Sequence, residues 1–283
     1  LNVAVLADLH LGSSRSKAKE VLAYLDTITP DTLVLAGDFI DLAKVQQGKL
    51  KQDQLAVVRK VLDFAHAGSK VYYLTGNHDA RLRKFGNLAL GNLHIREELL
   101  LQFDGHKCYF FHGDCLDAAV KYKLSTDQMN GVWGIFKPTL RSLVNLRNWV
   151  GTAFRKLAGR RKWSLATEVK TNPQAAEAYV EHFERAASRL AKSKGCDHVI
   201  CAHIHQPKIE QRQLNGEVVH YLNAGDWVDN LTALEYRFGK WKLYQYDADD
   251  YPEPSRLLRP PLAKPDKGSR KMEEELMRTL VNA

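Results

Sequence analysis

Five short apolar runs in this chain each end in side chains that bind metals. The first ends in Asp8-Leu9-His10, the second in Gly37-Asp38 and the third in Gly76-Asn77-His78-Asp79. The fourth ends in His112-Gly113-Asp114 and the fifth in His203-Ile204-His205. Imidazole nitrogens and carboxylate oxygens together suit a pair of divalent ions about 3.5–4 Å apart, which need one carboxylate to bridge them and further donors to fill each shell. Any one of these pieces arises by chance in many chains. A lone histidine pair near a strand end is more often structural or simply exposed. What singles these out is that all five occur, each closing an apolar run.

The runs are also the elements that must position the groups. NVAVLAD, DTLVLAGD and KVYYLTGN are separated by helix-like segments at about residues 15–27 and 49–66. That alternation predicts βαβαβ with strands buried on both faces. KCYFFHGD and CDHVICAHIH extend the pattern, and in α/β sheets the ligand crevice lies outside the carboxyl ends of the strands. Groups far apart in sequence can therefore meet. The two-residue period of a strand is expected to turn Asp8 with His10, and His203 with His205, to one side. Glycines 37, 76 and 113 let the backbone turn sharply beside them. EVVHYLNAGD, LTALEYRF and KWKLYQYD alternate more and predict antiparallel strands, so the fold class is α/β with mixed sheets.

Residues 118–165 break the rhythm. Trp133, Phe136, Trp149, Phe154 and Trp163 stand there among many Lys and Arg, which predicts a helical basic and aromatic cap inserted into a core of residues 1–117 and 166–247. Residues 248–283 form a Pro-rich, charged tail with a possible terminal helix, in which Met272, Leu276 and Leu280 make one apolar stripe. The formal net charge of +8 suits an anionic partner: nucleotide, nucleic acid or an acidic lipid surface. The four cysteines show no CxxC spacing and read as reduced thiols of a cytoplasmic protein. No run reaches the roughly 18 apolar residues of a membrane span, and the chain opens on a strand-like run with no signal-peptide pattern.

The ordered set DLH, GD, GNHD, HGD and a histidine pair resembles the calcineurin-like metallophosphoesterases over roughly residues 1–245. The resemblance implies a four-layer αββα sandwich. It also implies that Asp8, His10, Asp38 and His205 hold one metal, and that Asp38 bridges to a second completed by Asn77, His112 and His203. Ala202 stands where the family usually has glycine. By the same pattern His78 is no ligand but faces the phosphate as a general acid or charge stabiliser. HGDCLD with the cap that follows, and KWSL, CAHIHQPKI and YLNAGDWVDNLTALEY, resemble the UDP-2,3-diacylglucosamine diphosphatase branch and a bacterial subgroup grouped with it. This implies hydrolysis of a glycolipid-nucleotide pyrophosphate in lipid A synthesis, two Mn2+ ions, and a peripheral contact with the anionic inner membrane. Asn77, Arg81, Lys121 and Arg161 are the candidate substrate contacts. The best-known diphosphatases of that branch carry arginine where this chain has His78. A broader phosphodiesterase acting on nucleotides or nucleic acid stays open beside it, with nucleic acid the second choice of partner. A binding scaffold is disfavoured, because all seven ligand positions are filled.

Overall fold

The computed structural model describes residues 1–45, 50–120 and 173–251. In chain order these form β1 (Val3–Leu6), α1 (Ala18–Thr27), β2 (Thr32–Ala36), α2 (Leu42–Val45), α3 (Gln52–His66), β3 (Lys70–Leu74), β4 (Ala89–Leu90), β5 (Leu93–Arg96), β6 (Glu98–Phe103), β7 (His106–Phe111), α4 (Pro173–Ser193), β8 (His198–Cys201), β9 (Lys208–Leu214), β10 (Glu217–Asn223), β11 (Thr232–Arg237) and β12 (Lys240–Gln245). The chain divides into two compact units, Leu1–Asp114 with Ala187–Ala283, and Cys115–Ala186. Both sheets and every residue of the site described below belong to the first. The expected cap, apart from residues 118–120, and the tail beyond residue 251 lie outside the described residues.

The first sheet runs β12-β11-β1-β2-β3-β5-β4 and the second β6-β7-β8-β10-β9. β1, β2, β3 and β5 are parallel, with β11, β12 and β4 added antiparallel. In the second sheet β7, β8 and β10 are parallel, flanked by antiparallel β6 and β9. β1, β2 and β8 are buried at every position because each has a strand on both sides and cover on both faces. Ala4, Leu6, Leu33 and Leu35 point to a core shared with Val21 and Leu25 of α1 and Val57, Val61 and Leu62 of α3. The alternate set, Val3, Val5, Val34 and Ala36, packs on Cys108, Phe110, Ile200 and Leu222 of the second sheet. On the other face of that sheet Tyr109 and Phe111 stack at 5.0 Å. Lys192 in the last turn of α4 pairs with Glu217 of β10, and Lys194 just beyond it with Glu98 of β6. The two sheets face each other, with α1 and α3 on the outer face of the first, as expected.

Two features depart from the expected pattern. β4, β5, β6 and β9 are additional strands. β10 is antiparallel to β9 but parallel to β8, so it belongs to the second sheet and not to a meander with β11 and β12.

Candidate metal centre

The segments that leave β1, β2, β3, β7 and β8 bring the expected side chains together. Asp8 and Asp38 form the buried centre, 0% and 2% exposed. Asp38 Oδ2 lies 3.5 Å from His112 Nε2 and 4.0 Å from both His10 Nε2 and His78 Nε2. Asp8 Oδ1 lies 3.2 Å from His205 Nε2 and 3.6 Å from His10 Nε2. His203 Nδ1 and Asn77 Oδ1 approach His112 Nε2 at 3.2 and 3.3 Å. Among the described residues, three groups built on Asp8 or Asp38 are compact enough to hold a cation: Asp8, His10 and His205; Asp8, Asp38 and His112; and His10, Asp38 and His78; His205, Asp226 and Asp229 form a further one at the edge. Asp8, His10 and Asp38 each belong to two of the three, and Asp38 Oδ2 is the one atom that the Nε2 atoms of His10, His78 and His112 all approach within 4.0 Å.

The donors fit divalent ions. Asp8 Oδ1 is buried and has no well-aligned hydrogen bond, although the His205 ring stands 3.2 Å away, and a buried acceptor poorly satisfied in this way costs up to about 1–3 kcal/mol. A cation supplies the missing partner. The His112 Nδ1–H donates to the Ala36 carbonyl at 2.9 Å, which fixes the tautomer and turns Nε2 toward Asp38. Burial lowers the pKa of His112 and His205, but the Asp38 and Asp8 charges outweigh it and push each up to about 9. Burial would raise the Asp8 carboxyl, yet His205 and His112 hold it well below the usual range. Imidazole protons thus balance the carboxylates in the places that cations would take.

The backbone achieves this by bending. β1 stops at Leu6 and β8 at Cys201, ahead of the Asp-x-His and His-x-His pairs, so strand periodicity is not what aligns them. Asp8, His10, Asp38, His203 and His205 all take left-handed conformations, with φ of 52°, 47°, 50°, 66° and 54°. Each such residue costs about 1–3 kcal/mol, and strain of this kind gathers at functional sites. Two glycines give the side chains room. A Cβ on Gly37, whose φ is 93°, would run into the His112 ring, and one on Gly76 would run into the Asp38 carboxylate.

Other acids around the cluster have separate tasks. Asp41 Oδ2 stands 3.4 Å from His78 Nδ1, and Asp226 Oδ2 stands 3.6 Å from His205 Nδ1, so each backs a ring that faces the cluster. Asp226 is fully buried and also accepts from the Val228 N–H at 2.8 Å. Neither acid was among the expected site residues. Gly225-Asp226 did carry a signal, because it closes an apolar run as Gly37-Asp38 does. Asp79 takes no place in the cluster. It accepts from the Gly76 and Phe39 N–H groups and from the Tyr73 hydroxyl at 2.7 Å, and burial with the Asp38 charge pushes it up to about 7. Asp114 turns to Arg83, which donates to it at 2.9 Å and to the Thr75 and Gly76 carbonyls. Arg81 is exposed in the short turn Ala80–Phe85 beside His78. Lys121 and Arg161 lie outside the described residues.

The model of the calcineurin-like phosphoesterase family matches residues 1–207. Curated relatives from Pseudomonas fluorescens (strain Pf0-1) and Azotobacter vinelandii, both named UDP-2,3-diacylglucosamine hydrolase, are similar along most of the chain. The first is 23% identical over 270 residues, covering 93% of this chain and 99% of its own. The second is 24% identical over 234 residues, covering 80% and 91%. Among solved structures, a novel archaeal phosphodiesterase aligns over 87% of this chain and 99% of its own, at 11% identity and a TM-score of 0.40.

Proposed function

This chain belongs to the calcineurin-like phosphoesterase family of metal-dependent phosphoester hydrolases, and we propose that it cleaves the pyrophosphate of UDP-2,3-diacylglucosamine, giving UMP and 2,3-diacylglucosamine 1-phosphate. The cluster centred on Asp38 carries the hydrolytic part of this proposal. The curated relatives, alike in name and aligned over most of both chains, support the substrate.

In this proposal Asp8, His10, Asp38 and His205 hold one ion, and Asp38, Asn77, His112 and His203 the other; manganese is the proposed metal. Two divalent ions bound there activate water and neutralise phosphoryl charge. The protein's part is to hold donors still. The Ala36 carbonyl sets the His112 ring, and Asp226 backs the His205 ring. His78, backed by Asp41, presents Nε2 toward the cluster and can pass a proton to a departing oxygen. The net charge of +8 favours an anionic diphosphate and approach to an anionic inner membrane. Among the described residues no helix is long and apolar enough to cross a membrane.

His78 favours a second reading, a phosphodiesterase acting on nucleotides or nucleic acid. A diphosphate releases a phosphate group whose second pKa is about 6, which departs with little help from an acid. An alkoxide leaving a diester gains much more from one. Turnover of UDP-2,3-diacylglucosamine and of bis(p-nitrophenyl) phosphate by the same manganese-loaded protein separates the two. The proposal expects UMP release with kcat/KM at least about 100-fold above the diester, worth about 2.7 kcal/mol of selective binding. Diester turnover without UMP release would assign the phosphodiesterase instead.

A further inference from the structure

A separate group of imidazoles lies at the other end of the second sheet. His106 opens β7 and His198 opens β8, whereas His112 and His203 follow the far ends of the same strands. At a rise of about 3.3 Å per residue, the six steps from His106 to His112 place the two groups roughly 20 Å apart. Asp197 joins His106 and His198, with one carboxylate oxygen 3.0 Å from His106 Nδ1 and the other 3.2 Å from His198 Nδ1. One donor atom from each of the three lies within 4.8 Å of the others. His220, paired with His198 across the ladder, stacks on its ring at 4.4 Å.

We propose that His106, Asp197 and His198 form a second, mononuclear metal site for a borderline divalent ion such as zinc, independent of the cluster around Asp38. Bonds of about 2.0–2.1 Å from zinc to nitrogen and oxygen put neighbouring donors of a tetrahedral shell about 3.3 Å apart, so three donors already within 4.8 Å of one another need to close in by at most about 1.5 Å. Burial, aided by His220, lowers the pKa of His198, which leaves a lone pair on the ring. Burial would raise the Asp197 carboxyl, but the His106 and His198 rings together outweigh it and hold the pKa below the usual carboxylate value. The nearby thiols offer no soft alternative, because burial and the Asp197 charge push Cys108 up to about 12. Two imidazoles with one carboxylate select zinc, nickel or copper over magnesium and calcium. His106 and Asp197 have side chains 55% and 43% exposed, so an ion enters from solvent and keeps water on its open side. A bound ion would tie the starts of β7 and β8 together and stabilise the folded chain by mass action.

Zinc titration of the full chain, stripped by chelator, tests this with calorimetry and metal analysis. The parent should bind three zinc ions and His106→Ala two, with hydrolytic turnover unchanged. In a background carrying Asp8→Ala, Asp38→Ala and His112→Ala, which breaks every candidate group around Asp38, one zinc equivalent should survive, and Asp197→Asn should weaken it at least about 100-fold, the upper end of losses seen even for outer-shell partners. His106 is largely exposed, so its removal should leave the fold intact. Only two zinc ions in the parent, or an undiminished third in His106→Ala, would overturn the proposal.

Discussion

Gly76→Ala should disturb the Asp38 carboxylate without changing a single donor atom. A Cβ at Gly76 would stand 2.7 Å from the Asp38 backbone nitrogen, where ordinary contact begins at 3.4 Å. The Asp38 backbone must therefore retreat by about 0.7 Å, and its carboxylate with it. Misplacement of about 1 Å in a reacting constellation costs on the order of 10²-fold in rate. A fall of about 10²-fold in kcat/KM, or about 2.7 kcal/mol, is thus expected, with weaker metal binding. The added methyl should also cost about 1–3 kcal/mol of stability through overpacking. Gly68→Ala is the control: its φ of 107° strains an alanine, but nothing lies within 4 Å of the new methyl. It should lower stability and spare turnover. Steady-state kinetics on a small diester, thermal melts and metal analysis read all of these. Parent-like kcat/KM with two ions in Gly76→Ala would refute the close approach between Gly76 and Asp38.

His78→Ala should keep both ions while slowing turnover of an alkyl diester, whose alkoxide must be protonated, by about 10²–10⁴ and that of a diphosphate far less; loss of an ion would make His78 a ligand. Asp226→Asn should weaken metal binding about 10–100-fold by releasing the His205 ring, and unchanged affinity would leave Asp226 a loop staple only. In metal-stripped protein His112 and His205 titrate near 9 against an ordinary 6.5. Their charge stabilises the fold fully below pH 6.5 and the contribution is lost as pH rises through 9, so the melting temperature should fall across that window. Manganese needs neutral imidazoles, so its affinity should rise over the same window with proton release; pH-independent affinity would count against histidine ligation.

Much of the site could be read from sequence because it sits where buried strands stop. β1, β2 and β8 are buried at every position, so each reads as an unbroken apolar run with its polar ligand just beyond. β9, an edge strand whose burial alternates along KIEQRQL, offers no such run, and β6 is only half-buried at every other position. The parallel pairing of β10 with β8 is a long-range choice that no local pattern encodes. The left-handed turns at Asp8, His10, Asp38, His203 and His205 were equally hidden, since none of these is glycine. Asp41 and Asp226 act through other side chains, and a single acid near a turn looks like many others. Asp114 shows the converse: its Gly-Asp context resembles that of Asp38, yet it pairs with Arg83.

Metal stoichiometry of Asp38→Ala tests the dinuclear centre most directly. Asp38 Oδ2 is the atom that His10, His78 and His112 all approach within 4.0 Å, and its side chain is only 3% exposed at the end of β2. Removing it should cost at least one of two bound ions and nearly all turnover, with the thermal unfolding transition still cooperative. Two tightly bound ions and normal turnover in this variant would contradict a shared carboxylate.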